Sequence, residues 1–218
     1  MSLQSNRIFP INASDVLREV IAAPGHGSAA VGFGLALAAQ TMPSSSRAGA
    51  LLWVREAAAL AETGAAYAPG LAAFGLSPDR IIIVEARTQN DTLRAALEGA
   101  RCSALSAVVL ETLNPIDLTA SRRLKLAAEK SGVAIVIVRL SSCVVPNAAQ
   151  ARWRVKAALG MEKPDGSRRV AFETTVMKHP AGPDGTSCIV EWDHDRRCFT
   201  QTIPLPLDAV SNVGPLAA

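Results

Sequence analysis

A chain of 218 residues that is 49% hydrophobic is long enough to bury one substantial core, and a single α/β domain is the expectation. Its 22 basic and 19 acidic residues give a net charge of +3, too mild to indicate a nucleic-acid binder by itself. The cysteines Cys102, Cys143, Cys188 and Cys198 form no CxxC pair, and His26, His179 and His194 are not at ligand spacing, which argues against a zinc site and for free thiols in a reducing compartment. No charged leader precedes an apolar run, and no apolar stretch approaches the ~18 residues of a membrane helix, so a cytoplasmic protein without membrane contact is expected.

In chain order, Val20 to Ala23 reads as a short apolar strand. It enters a glycine loop, Pro24-Gly25-His26-Gly27, and a helix from Ser28 to Gln40 follows. This is the layout of a phosphate-binding loop. A working one places Lys and then Ser or Thr at the start of the helix, for the β/γ-phosphates and for Mg²⁺. Here Ser28 and Ala29 stand in those places. Residues Met42 to Gly49 read as a Pro/Ser linker and Ala50 to Val54 as a strand. Ala57 to Phe74 reads as loop and helix with a break near Pro69-Gly70. Arg80 to Val84 is a β-branched strand. Asn90 or Asp91 is placed to cap the next helix, whose Leu93, Leu97 and Ala100 share a face. Leu105 to Leu110 is a strand, Thr119 is placed to cap a helix that runs to Ser131, and Gly132 ends it. Val133 to Val138 is the most apolar strand.

These strands are continuous apolar runs, as expected of a parallel sheet covered by helices on both faces. The last third changes character. Ala151 to Leu159, Arg169 to Lys178, Ser187 to Trp192 and Cys198 to Thr202 read as an antiparallel meander joined to the edge of that sheet.

The order of strand, glycine loop, helix, parallel strands and antiparallel finish resembles a RecA-like, P-loop NTPase-type core. Finer motifs are similar to the ImuA family of bacterial SOS-mutagenesis cassettes. They are Leu51-Leu52-Trp53-Val54-Arg55, Tyr67-Ala68-Pro69-Gly70-Leu71, and Gly75-Leu76-Ser77-Pro78-Asp79-Arg80 with Ile81 to Val84. Leu118-Thr119-Ala120-Ser121-Arg122-Arg123-Leu124, Arg152-Trp153-Arg154-Val155 and Glu191-Trp192-Asp193 extend the match to roughly Leu51 to Asp193. The resemblance implies a central, mostly parallel sheet flanked by helices, with residues 1–203 as one RecA-like domain and 204–218 as a flexible tail. It implies a RecA-like accessory protein of SOS-induced, error-prone translesion DNA synthesis. Its implied partners are ImuB and an error-prone polymerase III alpha-type subunit; RecA and DNA are further candidates, and self-association is compatible with it.

On the family pattern, Gly25, His26, Gly27 and Ser28 form a degenerate phosphate loop. Backbone N–H groups there can still hold a nucleotide or phosphate weakly, but no cofactor is required. Glu111 falls at the Walker B position and reads as a strand-end carboxylate in a solvated crevice. Glu56 lies near the place of a water-activating acid. The basic residues Arg122, Arg123, Arg152, Arg154, Arg168 and Arg169 are candidate DNA or partner contacts, against the plainer reading of solvated surface. Alternation places Arg152 and Arg154 on one strand face and Trp153 on the other. Segment 141–150 occupies the place of a DNA-binding loop yet has no basic residue. Gln201 to Leu207 has a faint likeness to a sliding-clamp-binding peptide. The expectation is a protein without ATPase activity. The alternatives are an ATPase with a divergent loop and a SulA-type inhibitor of cell division.

Overall fold

Strand β1 (Leu17–Ala22) is buried at all six positions and lies inside a nine-stranded sheet. The structure, a computed structural model, describes residues 15–42, 49–163, 166–180 and 184–204. The other strands are β2 (Ala50–Glu56), β3 (Ile81–Ala86), β4 (Leu105–Thr112), β5 (Ala134–Arg139), β6 (Ala151–Glu162), β7 (Arg168–Lys178), β8 (Ser187–Asp193) and β9 (Cys198–Pro204). Their spatial order is β3-β2-β4-β5-β1-β6-β7-β8-β9. The pairs from β3 across to β1 are parallel, as the continuous apolar runs predict. Strand β6 differs from expectation, since it pairs parallel to β1 and antiparallel to β7. Segment 141–150 carries the chain from the end of β5 back to the start of β6, so β6 rises in the same direction as β1. The meander of reversing strands begins only at β7.

Among the described residues five α-helices accompany the sheet: α1 (Gly27–Thr41), α2 (Ala57–Thr63), α3 (Ala68–Ala73), α4 (Gln89–Arg101) and α5 (Leu118–Ser131). Helix α1 is Ala-, Leu- and Gly-rich and buries Ala30, Val31 and every residue from Phe33 to Ala39. A helix apolar on all sides belongs in the interior. Here it packs on the sheet face carrying Val20, Val109, Val136, Val138 and Trp153. Gly34 permits the approach, because a Cβ there would run into Val138. On the other face, α4 and α5 cover Leu52, Val108, Leu110, Ile135 and Ile137. The meander adds an aromatic layer under α1. Phe33 stacks on Phe199 with centroids 4.6 Å apart and meets Phe172 edge-on at 5.4 Å.

Helix boundaries differ from the sequence reading in three places. The first break falls at residues 64–67, after which Pro69 sits in the opening turn of α3, where its missing N–H costs nothing. Thr88, not Asn90 or Asp91, caps α4 by accepting from Asp91 N–H. Asp117, not Thr119, caps α5 by accepting from Ala120 N–H at 2.7 Å. In each cap the side-chain oxygen must stand three residues before the amide it serves, and several neighbouring residues had suitable chemistry. Gly132 ends α5 in the left-handed conformation, with φ of 79°. The predicted linker lies outside the described residues except at Met42 and Gly49, as does the predicted tail beyond Pro204. Of the clamp-like peptide, Gln201 to Pro204 forms the end of β9 and the rest lies outside them.

Candidate functional site

The glycine loop stands where the sequence put it, between β1 and α1. Gly25 takes φ of 77°, and His26 N–H donates to Ala23 C=O to close the turn. Two bonds tie the loop to β6: Ala23 N–H to Val155 C=O at 2.9 Å, and Ala157 N–H to the His26 ring at 3.2 Å. Ser28, in the place of the Walker lysine, is exposed. Ala29, in the place of the hydroxyl, is half-buried. Helix α1 starts without a side-chain cap and without an acid in its first turn. Its dipole is available, but no lysine accompanies it. Other side chains crowd the loop: a Cβ on Gly27 would meet Thr63 Cγ2 at 3.4 Å and Leu140 Cδ2 at 3.5 Å.

Glu111 corrects the expectation of a solvated crevice. It is fully buried inside β4, and its carboxylate is already occupied. Arg55 from β2 donates through Nε at 2.7 Å and Nη2 at 3.2 Å, Trp53 Nε1 donates at 3.1 Å, and Thr63 Oγ1 makes a further short contact. The Arg55 guanidinium also lies 4.3 Å from the centre of the Trp53 ring and donates to Thr63 and Gly64. A buried carboxylate so compensated is a structural ion pair. A cation could reach it only by displacing Arg55. Glu56, the next residue of β2, is buried on the opposite face of the sheet, accepting from Thr112 Oγ1 at 2.5 Å and Leu113 N–H at 3.0 Å. Among the described residues no group of three or more His, Cys, Asp and Glu side chains could hold a metal ion.

The basic candidates separate into different environments. Arg122 and Arg123 are exposed on α5, where Lys125 pairs with Glu129 at 3.6 Å as the helical spacing predicts. Arg123 lines a groove between α4 and α5 with Leu97, Leu126, Ala127, Arg101 and Lys130. Arg168 is exposed and bonds Glu162 and Gly160 C=O, each at 3.1 Å. Arg169 is exposed, 3.9 Å from Glu191. Arg152 and Arg154 do share a face, opposite the buried Trp153. Arg152 is nevertheless interior: it is buried, ion-paired to Glu19, and donates to Val145 C=O and Asn147 Oδ1. The expectation that it contacts DNA or a partner from the surface is thereby corrected, because segment 141–150 folds over it. Arg154 is half-buried. Arg55, Glu19 and Arg139 were missed as a class. Their signal was a charge inside an otherwise apolar strand, which requires a buried partner.

No protein-family model matches the chain. Two curated proteins named Protein ImuA, from Caulobacter vibrioides strains NA1000 / CB15N and ATCC 19089 / CIP 103742 / CB 15, are each 34% identical to it over 129 residues. Over that stretch the chain is a homologue of Protein ImuA. The match takes in 55% of this chain and 50% of each relative, so the chain spans about half the length of the curated relatives it matches. Among solved structures, the RadB recombinase superposes with a TM-score of 0.54 at 14% identity, covering 84% of this chain and 89% of that one. The fold is accordingly that of a RecA-like protein. SulA from Pseudomonas aeruginosa aligns at 21% identity and a TM-score of 0.43, over 57% of this chain and 98% of SulA. Among the described residues no helix is long and apolar enough to cross a membrane.

Proposed function

We propose that this chain is a non-catalytic, RecA-like accessory protein of error-prone translesion DNA synthesis. It acts by binding ImuB and an error-prone polymerase III alpha-type subunit, with DNA as a further ligand. The homology to Protein ImuA supports the pathway. One observation carries the non-catalytic part. The carboxylate at the Walker B position is buried and held by Arg55, Trp53 and Thr63, on the same side of the sheet as a glycine loop that offers Ser28 in place of lysine. Phosphoryl transfer needs a metal and a cation at the phosphates, and the positions that would serve them hold Ser28, Ala29 and an ion-paired Glu111. A binding role agrees with the α4–α5 groove, where Leu126 is 65% exposed between Arg123 and Lys130.

Two experiments test this reading. Calorimetric titration with ATP and Mg²⁺ should give no submicromolar binding, and no DNA-stimulated hydrolysis should follow; either activity refutes the non-catalytic assignment. A pull-down with ImuB should succeed, and substitution of Leu126→Asp together with Arg123→Glu should weaken it at least tenfold. Capture of FtsZ in preference to ImuB would refute the pathway.

A further inference from the structure

On the sheet face away from α1, four charged side chains of β1, β5 and β6 lie together. The register puts Arg139 and Arg154 on either side of Ile21 in one row, and Arg152 beside Glu19 in the next. Glu19 is the one carboxylate among them, and it is shared. Arg152 bonds it directly, and Arg139 Nε approaches it at 3.3 Å. Arg139 is fully buried, yet among the described residues none of its three guanidinium nitrogens has a hydrogen-bond partner. The Nε of Arg154 is likewise buried without one. Neighbouring charges do not relieve them. Lys156 pairs with Glu173 at 2.7 Å, and Lys178 donates to Ala149 C=O at 2.7 Å. Within this group three guanidinium groups face one carboxylate; the buried Glu56, in the Arg139 row but two strands away beyond Thr112, is held by Thr112 Oγ1 and Leu113 N–H. Burial pulls Arg139 below the ordinary arginine value, the nearby Arg152 and Arg154 add to that, and Glu19 and Cys143 oppose it. Uncompensated cations in an interior are costly, and a fork of free N–H groups is a shaped receptor for an oxyanion.

We propose that Arg139 and Arg154 form a binding site for a dianionic phosphate group above Ile21, covered by segment 141–150. The charge count favours this ligand, since three cations and one carboxylate leave an excess that a dianion neutralises and a single carboxylate does not. The spacing suits it as well. Strands lie about 4.8 Å apart, so the Cα atoms of Arg139 and Arg154 are roughly 9.6 Å apart across β1, and two arginine side chains can converge on an oxyanion between them. The cover is irregular backbone with Ser142, Cys143 and Val144 exposed, and Arg152 anchors it through Val145 C=O and Asn147. Lifting the part next to Cys143 opens the site without unfolding the sheet. The site is on the opposite face from α1 and uses no residue of the glycine loop. The phosphate could be free or the terminus of a nucleotide.

Phosphorus-31 NMR titration of the full chain with inorganic phosphate tests the site, with AMP and adenosine as parallel arms. Saturable binding of phosphate by the unsubstituted chain is expected, weakened at least tenfold in Arg154→Gln and lost in Arg139→Gln, with Arg87→Gln, at an exposed position after β3, unchanged. Binding of AMP at least as tight as that of phosphate identifies a nucleotide terminus as the source, and weaker binding identifies free phosphate. Arg139→Met should melt at or above the unsubstituted chain in phosphate-free buffer, because it removes a buried cation without hydrogen bonds while Glu19 keeps its pair with Arg152, and should gain nothing from added phosphate. Absence of phosphate binding overturns the proposal. So does equal binding by Arg154→Gln, which is half-buried and carries the test if the Arg139 variants do not fold, and so does binding of adenosine alone.

Discussion

Replacing Arg55 with Met tests whether Glu111 is a structural anion. The substitution keeps the packing on Trp53 but removes two of the donors that hold the Glu111 carboxylate, leaving that charge fully buried. Breaking a buried ion pair from one side costs about 3–5 kcal/mol. Part of the loss falls on Thr63 and Gly64, which Arg55 also bonds. In a domain of this size about 1 kcal/mol moves the melting temperature by about 2–4 °C, so a fall of roughly 12 °C is expected. The double variant Arg55→Met, Glu111→Leu removes both charges and should recover most of the loss, giving a coupling of about 2 kcal/mol or more in a double-mutant cycle. Thermal melting followed by circular dichroism measures Arg55→Met, Glu111→Leu and the double variant. Additive losses, or an Arg55→Met fall of only 1–2 °C, would refute the ion-pair reasoning. Stabilisation of the unsubstituted chain by Mg²⁺ that vanishes in Glu111→Gln would instead restore a metal-binding role.

Phe33→Ala should cost about 3–5 kcal/mol in denaturant unfolding, because Phe33 is fully buried against Phe172, Phe199 and Trp153. Gly132→Ala should cost about 1 kcal/mol by the same measurement, through its left-handed backbone alone, since nothing lies within 4 Å of the added Cβ. Burial raises the Cys188 and Cys198 thiols, Asp193 adds to the rise at Cys198, and Thr174 and Arg196 oppose it at Cys188 and Cys198 respectively. Their neutral forms are thus favoured in the fold, so their contribution to stability is complete below the unfolded thiol value of about 8.5 and is lost as pH rises through the folded values. Unfolding midpoints should fall above about pH 8.5, and replacing both thiols with Ala should flatten that fall. In native iodoacetamide labelling, the exposed Cys102 and Cys143 should react first and the buried Cys188 last.

Much of this molecule is legible along the chain. Continuous apolar runs specify parallel strands, buried in β1, β2, β4 and β5 but not in the edge strand β3, where Ile82 and Ile83 are exposed, and the all-apolar stretch from Ala29 to Ala39 specifies an interior helix. The glycine loop and its missing lysine, the left-handed Gly132 and the alternation of Arg152, Trp153 and Arg154 follow from local stereochemistry. The pairing of charges does not. Arg55 and Glu111 are 56 positions apart, and Arg152 and Glu19 are 133 apart. Which cation meets which carboxylate depends on strand order and register, and β6 lies beside β1 only because segment 141–150 returns across the sheet. A sequence shows that a buried charge needs a partner. Only the tertiary structure decided that Glu111 receives one, that Arg152 is interior, and that Arg139 has a shared carboxylate and, among the described residues, no hydrogen bond.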